Sequence, residues 1–251
     1  MGGNAFDSIT TGFANVAVGF VAGGGLTTGN YNIAIGQETL AATTTANNNI
    51  AVGHNALNAN TTANNNTAIG AHALNANTTG TFNVAIGYLT LDACVDGSKN
   101  NAVGAFALTN YDPASAEDSH NNAFGYNALG ANTTGKYNTA VGGNCLDSNT
   151  TADNNTAVGN NALPAKTTGT QNIAFGTYAL DANTTGEQNV AVGHNALGGN
   201  TTASYNTAVG ERAMLANTTG AQNVAVGYEA LENNTSGNEN CAIGMQALEE
   251  N

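Results

Sequence analysis

Glycine recurs along this chain at a fixed interval, and that interval constrains the fold more than any other feature. Neighbouring members of the series are 17 residues apart, except for one interval of 21 residues between Gly104 and Gly125. A fixed period of this size is the signature of a repeat array, in which small units that cannot bury their own apolar face are stacked on one another. The series is Gly2, Gly19, Gly36, Gly53, Gly70, Gly87, Gly104, Gly125, Gly142, Gly159, Gly176, Gly193, Gly210, Gly227 and Gly244.

The residues that precede each repeat glycine are equally regular. From Gly19 onward, an asparagine stands four positions before the glycine, an alanine two before it, and a valine, isoleucine or phenylalanine directly before it. Such a short β-branched segment predicts a strand of about four or five residues closed by a turn. The asparagines are expected to stack into a ladder, as amides do in other cross-β arrays. They are Asn15, Asn32, Asn49, Asn66, Asn83, Asn100, Asn121, Asn138, Asn155, Asn172, Asn189, Asn206, Asn223 and Asn240.

The second half of each unit has a weaker β-character. It runs from an Ala-Leu pair to a segment such as Asn-Thr-Thr-Gly, and it is compatible with a second short strand followed by a turn. The sequence therefore predicts an all-β fold, in which residues 1–251 form a single parallel β-solenoid domain (a β-roll or β-helix) of about fourteen to fifteen coils. At about 4.8 Å between strands, the stack would be roughly 65 to 70 Å long.

Alternation along the strand separates two faces. The residues one and three positions before the glycine share one face, and the alanine between them lies on the other. We expect the larger residues, such as Val84 and Ile86, to fill the coil interior. The uniformly small opposite face then predicts close packing against other copies, most simply in a homotrimer. The predicted interface comprises Ala17, Ala34, Ala51, Ala68, Ala85, Ala102, Ala123, Ala140, Ala157, Ala174, Ala191, Ala208, Ala225 and Ala242.

Charge and hydropathy exclude several classes of partner. The formal net charge is -13 and only four residues are basic, so the chain would repel phosphate backbones and anionic lipid headgroups. No apolar run approaches the roughly 20 residues of a membrane helix, and the start lacks the basic and apolar regions of a secretory signal peptide. We expect no nucleic-acid partner and no membrane insertion.

No arrangement of residues points to catalysis, a cofactor or a metal ion. His54 and His194 share a position in the repeat but lie eight coils apart. Cys94, Cys145 and Cys241 occupy three different positions in distant repeats, which predicts free thiols rather than a metal or redox pair. We therefore expect a non-enzymatic protein without a cofactor.

The single 21-residue interval adds four residues to one unit. The sequence predicts an insertion loop over residues 109–120, since additions to solenoid repeats map to loops on one face. A tolerated bulge is the simpler interpretation. A cation held by Asp112, Glu117 and Asp118 is the alternative.

The repeat resembles two groups of fibrous proteins. Asn-Val-Ala-Val-Gly at 15–19 and Asn-Val-Ala-Ile-Gly at 83–87 resemble the head repeats of trimeric autotransporter adhesins of the YadA type, and the run at 132–146 is similar to repeats of phage tail fibres and tail-fibre-like bacterial proteins. The resemblance covers nearly the whole chain. It implies a left-handed, homotrimeric β-roll that serves as the shaft or adhesive head of a fibre on the extracellular surface or the virion.

Two other functions stay open from the sequence. Threonine pairs such as Thr61-Thr62 would stack at the strand spacing, and regular threonine arrays on flat solenoids bind ice. Strand edges at the two ends would allow copies to join head to tail into an extracellular filament.

Recognition of a cell-surface glycan or protein is expected at the variable positions just after the repeat glycine. Aromatic residues stand there among glutamine, histidine, asparagine and glutamate, and exposed rings beside amides suit carbohydrate. The predicted recognition residues are Phe20, Tyr88, Phe106, Tyr126, Tyr178 and Tyr228.

Overall fold

A computed structural model describes residues 2–113, 115, 117–165 and 168–249. The chain forms two compact units, Met1–Asn127 and Ala128–Asn251. The strands of the first unit are β1 (Val16–Val18), β2 (Ile33–Ile35), β3 (Ile50–Val52), β4 (Thr67–Ile69), β5 (Val84–Ile86), β6 (Asn101–Val103) and β7 (Asn122–Phe124). Those of the second are β8 (Thr139–Val141), β9 (Thr156–Val158), β10 (Ile173–Phe175), β11 (Val190–Val192), β12 (Thr207–Val209), β13 (Val224–Val226) and β14 (Cys241–Ile243).

Within each unit, every strand pairs in parallel with the next strand in the sequence. The register places each alanine beside the alanine of the following coil, as in the pair Ala17 and Ala34 of the first unit or Ala191 and Ala208 of the second. The register is kept across the 21-residue interval, where Asn101 pairs with Asn122. The predicted all-β, parallel β-solenoid fold with one coil per repeat is confirmed.

The strands are shorter than predicted and only one belongs to each coil. Each has three residues, and the described residues that follow the repeat glycine form turns and bends instead of a second strand. Three non-glycine residues in a typical coil adopt the left-handed conformation, for example Asn55, Leu57 and Asn65 with φ of 57°, 50° and 61°. Because each such residue bends the chain sharply, the coil closes without a second strand. A leucine at this φ is uncommon.

The repeat glycine is required by conformation and by space. Gly53 has a φ of +130°, a region that residues with a side chain rarely adopt. A Cβ at this position would lie 2.6 Å from the carbonyl carbon of Gly70 in the next coil. The coils therefore stack closely at the end of each strand only because the position is glycine throughout.

The prediction about which strand face is inside was wrong. Ala51 is fully buried within the coil, whereas Ile50 beside it is 36% exposed and Val52 is partly exposed. Every alanine of the predicted interface, from Ala17 to Ala242, is at most 8% exposed within the single chain. These alanines pack inside the coil and cannot face a trimer axis. A coil of 17 residues has a narrow interior, and the strand contributes only a methyl group to it.

The rest of the interior comes from the turn segments. Leucines four positions after the repeat glycine, such as Leu57 and Leu163, are fully buried, and so are alanines directly before them, such as Ala56 and Ala162. The apolar core of each unit is therefore a stack of small strand residues and turn leucines. Burying a leucine side chain is worth about 1.5–3 kcal/mol, so the leucines are the largest apolar contribution of each coil.

Candidate functional site

Asparagine side chains join the coils through the interior. The Oδ1 of Asn172 accepts a hydrogen bond from the backbone N–H of Asn189 at 3.1 Å, and its Nδ2 donates to the carbonyl of Gly186 at 2.9 Å. Each side chain thus satisfies backbone groups of the following coil that would otherwise be buried without a partner. The same Oδ1 contact links consecutive members from Asn15 to Asn121 in the first unit and from Asn138 to Asn240 in the second.

A second buried asparagine column was missed by the sequence reasoning. It lies seven positions after the repeat glycine, where Asn200 donates through Nδ2 to Oδ1 of Asn183 at 3.0 Å and to the carbonyl of Ala203 at 3.0 Å. The signal was present in the repeated Asn-Thr-Thr segment, which was interpreted as a turn. Because Asn183 and Asn200 are fully buried, this segment also belongs to the interior.

The threonine pairs follow this second column, and their first members bond along the stack. Thr184 donates its hydroxyl to the carbonyl of Thr201 at 3.0 Å, and Thr201 donates to the carbonyl of Thr218 at 3.1 Å. The hydroxyl protons are therefore directed at the next coil. The first threonine of each such pair therefore has no free hydroxyl proton to donate to an external surface.

One column on the outside of the strands is apolar in every coil. We call the residues directly before the repeat glycine the outer strand column. None of them is buried, and the exposed fraction is 49% at Val18, 57% at Phe175 and 72% at Ile243. The column comprises Val18, Ile35, Val52, Ile69, Ile86, Val103, Phe124, Val141, Val158, Phe175, Val192, Val209, Val226 and Ile243.

Three of the six predicted recognition residues come together in the first unit. The ring centroids of Tyr88 and Phe106 are 5.5 Å apart, and those of Phe106 and Tyr126 are 5.8 Å apart, both in edge-to-face geometry. We call these three residues the aromatic ladder. Phe20 is exposed outside it, near the start of the same unit.

The other predicted recognition residues lie in the second unit. Tyr178 has its ring 6.3 Å from that of His194, and Tyr228 is 43% exposed. In the first unit, His54 and His72 have their rings 5.1 Å apart, although the sequence places them at different repeat positions. The left-handed residue two positions after each glycine explains this approach, because it brings neighbouring variable positions of successive coils side by side.

The coil that contains the 21-residue interval is held by contacts with its neighbours. Tyr111 occupies the place of the second asparagine column and is fully buried, beside Cys94 and Pro113 around Gly97. After the additional residues, Ser119 donates its backbone N–H to the carbonyl of Ser98 at 3.0 Å, which restores the coil.

The carboxylates of this segment face different partners. Asp118 pairs with the Nζ of Lys99 at 2.5 Å, and Asp112 accepts the backbone N–H of Val95 at 3.2 Å. Among the described residues, Asp112, Glu117 and Asp118 do not form a group close enough to share a metal ion. The structure therefore gives no support to the cation alternative.

Another acidic group lies near the end of the second unit. One ligand oxygen each of Glu229, Glu232 and Glu249 lies within 4.8 Å of the others. The guanidinium of Arg212 contacts Glu229 at 2.8 Å and also contacts Glu232, so a positive side chain already offsets part of the charge of the group. Hydrogen bonds from Tyr228 and Gln246 and the charge of Arg212 lower the pKa of Glu229. We interpret this group as an ion-pair network that joins coils.

The three cysteines are free thiols, as predicted. Burial raises the pKa of the Cys94 and Cys145 thiols to about 12, so neither is a nucleophile at neutral pH. Cys241, in β14, is exposed. No pair of thiols forms a redox or metal site among the described residues.

Within each unit, the described residues line no pocket that could enclose a small molecule. The described part of the chain also has no helix long and apolar enough to cross a membrane. No family model, curated protein or solved structure matches the chain. The candidate functional surfaces are therefore the outer strand column and the aromatic ladder.

Proposed function

We propose that this chain is a non-enzymatic structural protein, the shaft or head of a fibre of the phage-tail or bacterial-adhesin kind, displayed on the virion or the cell surface. Its copies associate through the outer strand column. The observation that supports this proposal is the constancy of that column, which is apolar in all fourteen coils although water reaches every member in the single chain.

Neighbouring exposed positions behave differently. Directly after the repeat glycine the chain carries Gln37, His54, Ala71 and Glu211, so an exposed position in this fold accepts polar and charged residues. The outer strand column contains none. A contiguous apolar surface of this kind is typical of an interaction site. We infer that the column is covered in the assembled protein.

A second copy of the chain is the occupant that fits best. Each unit has seven strands about 4.8 Å apart, and each strand has three residues of about 3.3 Å. The strand face therefore measures roughly 300 Å² in each unit, or about 600–700 Å² when the two areas are added. A standard interface buries about 800 Å² per partner. In each unit, the strand face of a second copy has the same spacing and can pack against it coil by coil, and the fibre resemblance implies that three copies associate.

Paired charge substitutions test the proposal. Ile35→Lys with Ile69→Lys places two charges in the outer strand column, where both residues are 39% exposed. Gln37→Lys with Ala71→Lys is the matched control, because it adds the same charges two positions further along the same coils. Light scattering on a size-exclusion column, over a range of concentrations, gives the mass of each variant.

The proposal expects a fixed mass near three times 25.0 kDa for the unaltered chain and the control, and 25.0 kDa for the outer-column variant. Circular dichroism of both variants should match the unaltered chain, since single exposed positions change stability little. A monomeric unaltered chain would contradict the proposal.

A head-to-tail filament is the second candidate. Leu248 is 50% exposed, whereas Leu231 in the preceding coil is buried. A further coil placed on the last described coil, from this chain or another copy, would bury Leu248. In the same light-scattering series, a mass that grows continuously with concentration and persists in the outer-column variant would favour the filament.

A further inference from the structure

The aromatic ladder presents two exposed tyrosine rings supported by a third ring. Tyr88 and Tyr126 are 50% and 59% exposed, and each meets Phe106 nearly at a right angle, 87° and 84° between ring planes. Phe106 is only partly exposed and lies in the coil between them. Edge-to-face contacts of this kind hold neighbouring rings in place. The tyrosines are therefore positioned before any ligand arrives.

The surroundings of the ladder are uncharged although the chain carries a net charge of -13. Residues 84–89, 101–106 and 122–127 include no acidic or basic side chain. Asn101 donates its Nδ2 to the Oδ1 of Asn122 at 2.9 Å, at a position where other coils have valine, isoleucine, threonine or cysteine. Phe124, a member of the outer strand column, follows Asn122 by two residues and is 42% exposed. The rings and these two amides thus belong to the same three coils, in segments that carry no charge.

We propose that this surface binds a neutral, extended β-linked polysaccharide that runs along the stacking direction of the coils. Tyr88 and Tyr126 are two coils apart, about 10 Å at the strand spacing. The rise per sugar of an extended β-1,4-linked chain is close to the strand spacing, so alternate sugars would meet the two tyrosines. The C–H face of a pyranose packs on the electron-rich face of a ring, and amides bind its hydroxyls.

Three observations favour a neutral glycan over other ligands. The acidic chain repels nucleic acids and anionic polysaccharides. The described residues line no pocket for a small molecule, whereas a polysaccharide can lie on an open surface. The residue type at the ring positions also changes from coil to coil, as His54 and Ala71 show. A contact between copies would instead favour a constant residue type, as in the outer strand column. Tyr88, Phe106 and Tyr126 lie outside the outer strand column, so their binding of a glycan can be tested whether or not copies associate through that column.

Calorimetric titration of the full chain with cellohexaose and chitohexaose tests the inference, with the α-linked maltohexaose as the control ligand. We expect binding of at least one β-linked hexasaccharide and weaker or no binding of maltohexaose. Tyr88→Ala and Tyr126→Ala should each weaken binding roughly fivefold, the size expected from one lost aromatic contact, and the double variant should weaken it roughly 25-fold.

Two sets of variants control for structure. Tyr205→Ala removes a similarly exposed ring (55%) in the second unit and should bind like the unaltered chain. Tyr88→Phe with Tyr126→Phe keeps the rings and should retain most of the affinity. No heat for any β-linked hexasaccharide at millimolar concentration would overturn the inference. So would unchanged binding by the double alanine variant, or a double alanine variant that instead loses the oligomeric mass, since the ladder would then be a contact between copies.

Discussion

The inward alanines and the outer strand column of the same strands are both constant in character, but for different physical reasons. Inside, alanine is uniform because the coil interior leaves room for only a methyl group from the strand, as the complete burial of Ala191 shows. Outside, the outer strand column is uniform although nothing in the single chain packs against it. The comparison teaches that a constant column in a repeat protein identifies a contact but not whether that contact lies within the chain or between chains.

The largest expected effect is the loss of stability when a repeat glycine is substituted. Gly193 has a φ of +131°, and a Cβ there would lie 2.5 Å from the carbonyl oxygen of Gly210. Gly193→Ala should therefore lower the free energy of unfolding by more than about 3 kcal/mol, since backbone strain alone costs about 1–3 kcal/mol. Urea unfolding followed by circular dichroism measures it.

Gly143→Ala is the control for this substitution. Gly143 does not have a positive φ, and a Cβ there would meet only the flexible side-chain nitrogen of Asn160 at 3.1 Å. We expect a change within about 1 kcal/mol. Equal losses for Gly143→Ala and Gly193→Ala would contradict the assigned role of the repeat position.

The next largest effect is the loss of stability when one asparagine of the buried ladder is replaced. Asn172→Ala would leave the N–H of Asn189 and the carbonyl of Gly186 without their buried partner. Each unsatisfied group costs about 1–3 kcal/mol, so we expect a loss of about 2–5 kcal/mol in urea unfolding. Asn160→Ala, at an exposed position, should change stability by less than about 0.5 kcal/mol. A small effect of Asn172→Ala would show that water replaces the side chain.

A smaller effect is expected in thiol reactivity, which distinguishes cysteines in the coil interior from cysteines on the surface. Of the three cysteines, Cys94 and Cys145 are buried with pKa values raised to about 12, and Cys241 is exposed. A thiol reagent at pH 8 should titrate one thiol in the folded protein and three in urea. Rapid reaction of all three without denaturant would contradict the assignment of Cys94 and Cys145 to the interior.

The smallest effect concerns partly buried carboxylates. Burial raises the pKa of Asp181, so folding disfavours its charged form. This penalty is absent below the unfolded pKa of about 4 and complete above the folded pKa. Asp181→Asn should therefore raise Tm at pH 7 by roughly 1 °C, and the gain should vanish as the pH falls below about 4. Calorimetry at both pH values checks it, and a Tm decrease at pH 7 would contradict the sign.

Much of the fold could be predicted because the period constrains it. The 17-residue spacing predicts one coil per repeat, and the β-branched segment before glycine predicts the strand. The orientation of that strand could not be predicted, because alternation separates Ala85 from Val84 and Ile86 without saying which side is enclosed. Volume decided it, since the turn leucines already fill the interior and leave the strand room for only a methyl group.

Other features were hidden by unusual backbone conformation. Leu57 at a φ of 50° contradicts the ordinary preference of leucine, so the sequence gives no warning of the sharp turns that replace a second strand. These turns also bring Tyr88, Phe106 and Tyr126 side by side from different repeat positions. The six aromatic residues were visible in the sequence, but their grouping depended on turn geometry.

The accessibility of the outer strand column in the assembled protein tests the central claim most directly. In a Cys241→Ser background, Ile69→Cys places a thiol in that column, and Ala71→Cys places one two positions further along the same coil. Both positions are open to water in the single chain. The account predicts that a maleimide reacts at least tenfold more slowly at position 69 than at position 71. Equal rates at the two positions would contradict it.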